Sequence, residues 1–165
     1  MKTTNLLTRR ALVAALSALT LTAGTLPAFA HDTPCPYCKM KVTQDTPEQD
    51  NETVLRLGRK RIEYKCVYCA MADANTKYKD SGDVTILAPS EKKSAPIEIM
   101  RMDGKWMAPD GTVFVGVKAS HKVCQTTYRA FTNKAAYDAY VAKNKSQLDG
   151  AKPLTLTEML TVAAK

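Results

Sequence analysis

The sequence predicts an α+β fold: two β-β-α-β units packed together, behind an export leader that is cleaved off. Three observations predict it. Residues 1–30 have the make-up of a signal peptide, residues 53–87 alternate like strand, turn, strand, helix and strand, and a similar order of elements returns from residue 97 onward. The expected division is a signal peptide at 1–30, a loop plus the first β-β-α-β unit at 31–88, and a second unit with a C-terminal helix at 96–165.

The leader opens with Lys2, Arg9 and Arg10, continues through an apolar stretch, and ends in Ala28-Phe29-Ala30, a small-residue cleavage signal. Ser17, Thr20, Thr22 and Gly24 interrupt the apolar stretch, which makes it a poor permanent membrane span. The paired arginines fit twin-arginine export as well as the general secretory route. No cysteine lies near the cleavage point, so no lipid anchor is expected and the mature protein should be periplasmic and soluble. Taking thirty residues from 165 leaves 135, enough for one compact domain or two small joined ones. The leader carries three of the 24 basic residues and none of the 16 acidic ones, so the mature net charge is +5. Such a charge suits a solvated surface or an acidic partner. No nucleic-acid motif is present, and export argues against that class of ligand.

Residues 31–51 contain Pro34, Pro36 and Pro47 and little periodicity, so they read as irregular. Thr53-Val54-Leu55-Arg56-Leu57 has the character of a strand, Gly58-Arg59-Lys60 of a turn, and Arg61-Ile62-Glu63-Tyr64 of the returning strand. Over 66–79, Val67, Met71, Ala74 and Tyr78 recur at helical spacing on one face. Ser81-Gly82-Asp83 stops that helix, and a third strand follows at 84–87. Residues 88–95 are polar, hold Pro89, and read as a linker. The second unit begins with a strand at Ile97–Met102 and a tight turn at Asp103-Gly104. Strands follow at 113–117 and 125–131, then a helix from an Asn133 cap to about residue 145. A short strand at 154–156 and a closing helix at 158–164 complete the chain.

All five cysteines, Cys35, Cys38, Cys66, Cys69 and Cys124, fall in the mature part. An oxidising compartment favours disulfides, and an odd count leaves at least one thiol without an intramolecular partner. Cys35-Pro36-Tyr37-Cys38-Lys39-Met40 and Cys66-Val67-Tyr68-Cys69-Ala70-Met71 share the pattern C-x-Y-C-x-M. Two sulfurs at that spacing can converge on one ion, and thiolate with thioether is a soft donor set that selects Cu(I). Met40 has no apolar stripe to join and reads as a ligand. Met71 points about 200° away from Cys69 at about 100° per residue, and reads as core. Cys66 and Cys69 share a helix face near its N-terminus, where thiolate is favoured. A local disulfide, a metal site and inert buried thiols all fit that pair. His121 lies three residues before Cys124 and forms with it a third donor pair. His31, at the new N-terminus, would present an α-amine and an imidazole suited to Cu(II). Met100, Met102 and Met107 are explained by packing, and Trp106 by a role as a partly buried anchor. Haem attachment, zincin, serine-hydrolase and phosphate-loop motifs are all missing.

With these residues in view, the chain resembles the NosL family, copper chaperones that serve nitrous oxide reductase assembly. The resemblance rests on Cys38-Lys39-Met40 just after an export signal, on the hairpin from Val54 to Tyr64 feeding a helix, and on the order of elements from Val84 onward, including Ala135-Ala136-Tyr137-Asp138-Ala139-Tyr140. It implies two β-β-α-β units, Cu(I) binding and hand-over to a copper enzyme. Cys38 and Met40 match the family's C-x-M ligands. Its later methionine-bearing loop falls near residues 120–125, where the donors here are His121 and Cys124. The family's lipoprotein cysteine is missing, and Cys66 and Cys69 are additional.

The site expected from the sequence is therefore Cys35, Cys38, Met40, Cys66, Cys69, His121 and Cys124, holding Cu(I) or alternatively Zn2+. Its partners would be a copper enzyme or copper transporter. Two other classes remain in play. A thiol-disulfide oxidoreductase would use Cys66-Val67-Tyr68-Cys69 after a strand and at a helix start. A structural zinc protein would close the two C-x-x-C pairs on one ion.

Overall fold

A computed structural model describes residues 32–43 and 52–164, apart from 93, 120 and 149. The leader, its cleavage motif and His31 lie outside the described residues. The fold is α+β, as the sequence predicts.

Strands β3 (Thr53–Leu57) and β4 (Lys60–Tyr64) form a hairpin whose turn places Gly58 at a φ of 56°, a conformation glycine adopts without a Cβ clash. Helix α1 (Val67–Asn75) follows, and β5 (Val84–Ala88) returns antiparallel to β3. The linker expected at 88–95 falls between β5 and β6 (Ile97–Met102), although Ala88 itself ends β5; the two strands pair residue by residue from Val84 with Arg101 to Ala88 with Ile97. Strand β7 (Lys105–Met107) joins across the Asp103-Gly104 turn, where both residues have positive φ. The result is one five-stranded antiparallel sheet in the order β4-β3-β5-β6-β7.

A second hairpin pairs β8 (Val113–Lys118) with β9 (Thr126–Phe131). Helices α2 (Lys134–Lys143) and α3 (Lys145–Leu148) follow, and Leu154 then bridges back to Phe114 of β8. Only that single bridge forms where a strand over 154–156 is expected. Leu156 instead opens helix α4 (Leu156–Ala163), whose start is fixed by a reciprocal capping box between Thr155 and Glu158. Asn133 caps α2 as expected, accepting a hydrogen bond from the Ala136 amide.

Helix α1 is the centre of the molecule. It packs on the five-stranded sheet, on β9 and on α4. Seven of its nine residues are buried, including Met71 at 0% exposure, so the helix has no solvent face to reveal by periodicity. Two interactions pin its C-terminal part. The Tyr64 hydroxyl donates to Asp73 Oδ2 at 2.8 Å within the core. Arg101 reaches from β6 to the carbonyls of Ala74, Tyr78 and Ser81 at 2.7, 2.8 and 2.9 Å, satisfying acceptors that the helix end leaves open. Trp106 is half-buried as expected. Its indole N–H donates to Asn75 Oδ1 at 3.2 Å.

Two expectations change. Residues 32–43 are not irregular: β1 (Asp32–Pro34) and β2 (Lys41–Thr43) pair antiparallel around the first C-x-x-C. Three-residue strands are too short to show alternation. Met102 and Met107 are not packed but 43% exposed. The buried face of β6 is Ile97, Ile99 and Arg101, which turns the methionine positions outward.

Candidate metal centre

The first C-x-x-C is the tip of the β1–β2 hairpin. The Cys35 amide donates to the Met40 carbonyl at 2.8 Å, and the Lys39 amide to the Cys35 carbonyl at 2.9 Å. Lys39 takes a φ of 65° to close this loop. The closure turns both sulfurs inward, so Cys35 and Cys38 are 0% exposed. A proline-containing loop here suggests an open site; the backbone closure produces a covered one.

The second C-x-x-C straddles the start of α1. Cys66 is its N-cap residue in extended conformation, and Cys69 lies in its first turn. That turn brings the two sulfurs to 3.7 Å. The fifth thiol comes from the loop between β8 and β9. There the Ala119 amide donates to the Gln125 carbonyl at 2.8 Å. His121 Nδ1 accepts from the amides of Val123 and Cys124 at 3.3 Å each. The loop delivers Cys124 Sγ to 3.7 Å from Cys69 Sγ.

The sequence pairs thus converge on Cys69. The sulfurs of Cys35, Cys38 and Cys69 all lie within 4.8 Å of one another, with Cys66 and Cys124 each 3.7 Å from Cys69. All five are free, buried thiols. A metal–sulfur bond of about 2.3 Å sets two sulfurs on one ion about 3.8 Å apart in a tetrahedron, about 4.0 Å in a trigonal plane and about 4.6 Å on a line. The 3.7 Å contacts lie close to the tetrahedral spacing and the 4.8 Å limit of the triad just beyond the linear one, so small side-chain shifts suit the cluster to a metal ion.

The other expected residues take different positions. Met40 is half-buried and packs against the core cluster that contains all five cysteines. His121 spends Nδ1 as an acceptor, which leaves the proton of the neutral ring on Nε2. Its placement makes it the residue that shapes the Cys124 turn.

The protonation pattern follows from the contacts. The hydrogen bond from Cys69 holds the Cys35 thiol down at about 5, aided by the amides of Cys38, Lys65 and Tyr37. Cys66 is held at about 7, first by Cys69 and then by the amides of Tyr128, Cys69 and Tyr68. Cys69, hydrogen-bonded to Cys35 and Cys66, is itself pushed strongly up. Burial pushes Cys38 up to about 12 and raises Cys124.

Sequence reasoning missed the aromatic cover. Tyr37 meets the Tyr68 ring edge-on at 5.6 Å, their hydroxyls 3.3 Å apart, and Tyr68 stacks on Tyr128 at 5.8 Å. Tyr128 faces Gly116 across the β8–β9 pair, where any Cβ would sit 3.2 Å from the Tyr128 ring and 2.8 Å from a Thr126 methyl. The repeated Tyr of C-x-Y-C-x-M was the available signal for two of these rings. Beyond them, a cavity of about 150 Å³ touches Cys66 and is walled by Lys65, Val117, Tyr128, Arg129 and Tyr140.

No family model matches the chain, and no curated protein matches it. Among solved structures it is similar to one described as "Crystal structure of the mercury-bound form of MerB2", at 19% identity and a TM-score of 0.54. The match covers 67% of this chain and 55% of that one, so the chain spans about half the length of that neighbour. At this identity the likeness is one of fold.

Proposed function

We propose that this protein is an exported Cu(I) metallochaperone. It takes the ion into the cysteine cluster and passes it to an extracytoplasmic copper enzyme or transporter by ligand exchange. The observation that carries this reading is the triad of Cys35, Cys38 and Cys69, three reduced sulfurs from two separate segments within 4.8 Å of one another. Thiolates with a thioether form a soft donor set that favours Cu(I). Cys66 and Cys124 stand 3.7 Å from Cys69, so a four-sulfur Zn2+ site is the competing occupant that the titration must separate. Met40, packed against the same cluster, supplies the thioether that its resemblance to the NosL ligand pair implies.

The alternative is a thiol-disulfide oxidoreductase. Cys66 and Cys69 are 3% and 0% exposed, and thiol attack there, like hand-over of an ion from Cys35 and Cys38, needs the covered site to open. Mercury is what the MerB2 structure holds, and Hg(II) shares the preference for thiolates. It therefore belongs in the test as a competitor.

The test is an anaerobic titration of the reduced protein with Cu(I) against a Cu(I) chelator, alongside Zn(II) and Hg(II). Tight Cu(I) binding is expected, with at least a tenfold loss in Cys38→Ser and a smaller loss in Met40→Leu. Unchanged binding in both variants, or a clear preference for Zn(II), overturns the proposal.

A further inference from the structure

An ion held by Cys35, Cys38 and Cys69 is sealed in, since those three residues are 0% exposed. Ligand exchange needs a way through the cover. The cavity of about 150 Å³ reaches the edge of the cluster at Cys66, which lies 3.7 Å from Cys69. The Tyr128 amide, on the β9 strand that walls the cavity, donates to the Cys66 thiol, so the sulfur faces that strand. Two cations stand in the same wall. Lys65 directly precedes Cys66, and Arg129 follows Tyr128 on β9. The Tyr140 ring, also in the wall, has the Arg129 guanidinium 5.2 Å from its centre and steadies it there. No acidic residue lines the cavity, and among the described residues neither cation is paired with a carboxylate. Walls of low dielectric that carry charge of one sign concentrate the opposite charge. The volume falls short of the about 300–1,000 Å³ that drug-sized ligands fill, so the fitting occupant is a small anion.

We propose that this cavity is an anion-selecting port to the cluster, through which a small thiol bearing a carboxylate delivers Cu(I) or withdraws it. The carboxylate pairs with Lys65 and Arg129, and the sulfur meets Cys66. On delivery the bond between the ion and the visiting sulfur breaks as one to Cys66 Sγ forms. The Cys66 proton leaves on the visiting thiol, and copper stays Cu(I) throughout. Cys66 then hands the ion to Cys69, its neighbour in the cluster. The port presupposes the copper-binding reading above and adds to it the route of the ion and the chemical class of its carrier.

The experiment compares iodoacetate with iodoacetamide, an anion and a neutral molecule of nearly equal size, on the reduced, metal-free protein, with peptide mapping of each cysteine. Both reagents consume the thiolate, so their ratio at one residue does not depend on how far that thiol is ionised. Relative to the same chain in concentrated urea, iodoacetate should gain about tenfold at Cys66. The gain should shrink in about 1 M salt and in the paired substitution Lys65→Gln and Arg129→Gln. An equal ratio in the folded and urea-unfolded chain overturns the port. So does a gain that salt and the paired substitution leave intact, or reaction at Cys124 ahead of Cys66. The Cu(I)-loaded protein supplies a second arm. Mercaptoacetate should withdraw copper about tenfold more slowly from the paired variant than from the wild type, while cysteamine, a cationic thiol, should lose no speed. Equal slowing of both thiols overturns the carrier class. Failure to bind Cu(I) tightly overturns the copper reading, and the alkylation ratio still decides whether the cavity selects anions. The salt dependence of the wild type decides even if the variant fails to fold.

Discussion

The sulfurs of Cys69 and Cys124 lie 3.7 Å apart although 55 positions separate them in the chain. One is fixed by the first turn of a buried helix and the other by a loop that His121 holds in shape. Neither segment has a separate reason to meet the other at a sulfur, and the contact joins the two hairpin systems of the molecule at the candidate metal centre.

Loading the Cys35, Cys38 and Cys69 triad should release protons in a defined number. Cys35 is held near 5 and is already a thiolate at neutral pH, while Cys38 at about 12 and Cys69, also raised, keep their protons. A metal ion must displace those two protons. The affinity for the first Cu(I) should therefore rise about a hundredfold per pH unit between pH 7 and 9, after correction for the chelator. A flat profile would show that the thiols are ionised before the metal arrives.

Tyr64→Phe should lower the stability of the metal-free protein by about 1–3 kcal/mol at pH 7, because it removes a buried donor from Asp73. The same residue gives a pH signature. Burial first, and then Asp73, raise the Tyr64 hydroxyl above the ordinary tyrosine value of about 10. Its contribution is complete below pH 10 and is lost as the pH rises beyond it, since only the unfolded chain releases the proton there. Urea melts should show a shallower alkaline decline in Tyr64→Phe than in the wild type.

Arg101→Lys should destabilise by about 2–4 kcal/mol, since an ammonium cannot reproduce the planar fork that reaches three carbonyls at the end of α1. Chemical denaturation measures the loss. Copper affinity per folded molecule should stay within about twofold of the wild type.

How much of this was legible in the sequence differs by element. The β3–β4 hairpin, α1 and β5 could be read because Val54, Leu55, Val67, Met71 and Ala74 carry local periods and Gly58 marks the turn. The β1–β2 hairpin could not, since its pairing depends on the backbone closure between Cys35 and Met40. The even positions of β6 were misjudged because alternation alone does not say which face is inward, and Arg101, a charged residue, takes the inner one. Both C-x-x-C pairs announced a soft site. That Cys69 sits at its middle, and that His121 shapes the Cys124 loop, are properties of long-range packing which no local spacing encodes.

The central claim is that sulfur atoms from separate segments hold one Cu(I). Copper-edge X-ray absorption on the reduced protein carrying a single equivalent tests it most directly. The account predicts a first shell made only of sulfur, about three atoms at about 2.3 Å, which loses an atom in Cys69→Ser. A shell of nitrogen and oxygen, or one that Cys69→Ser leaves untouched, would contradict it.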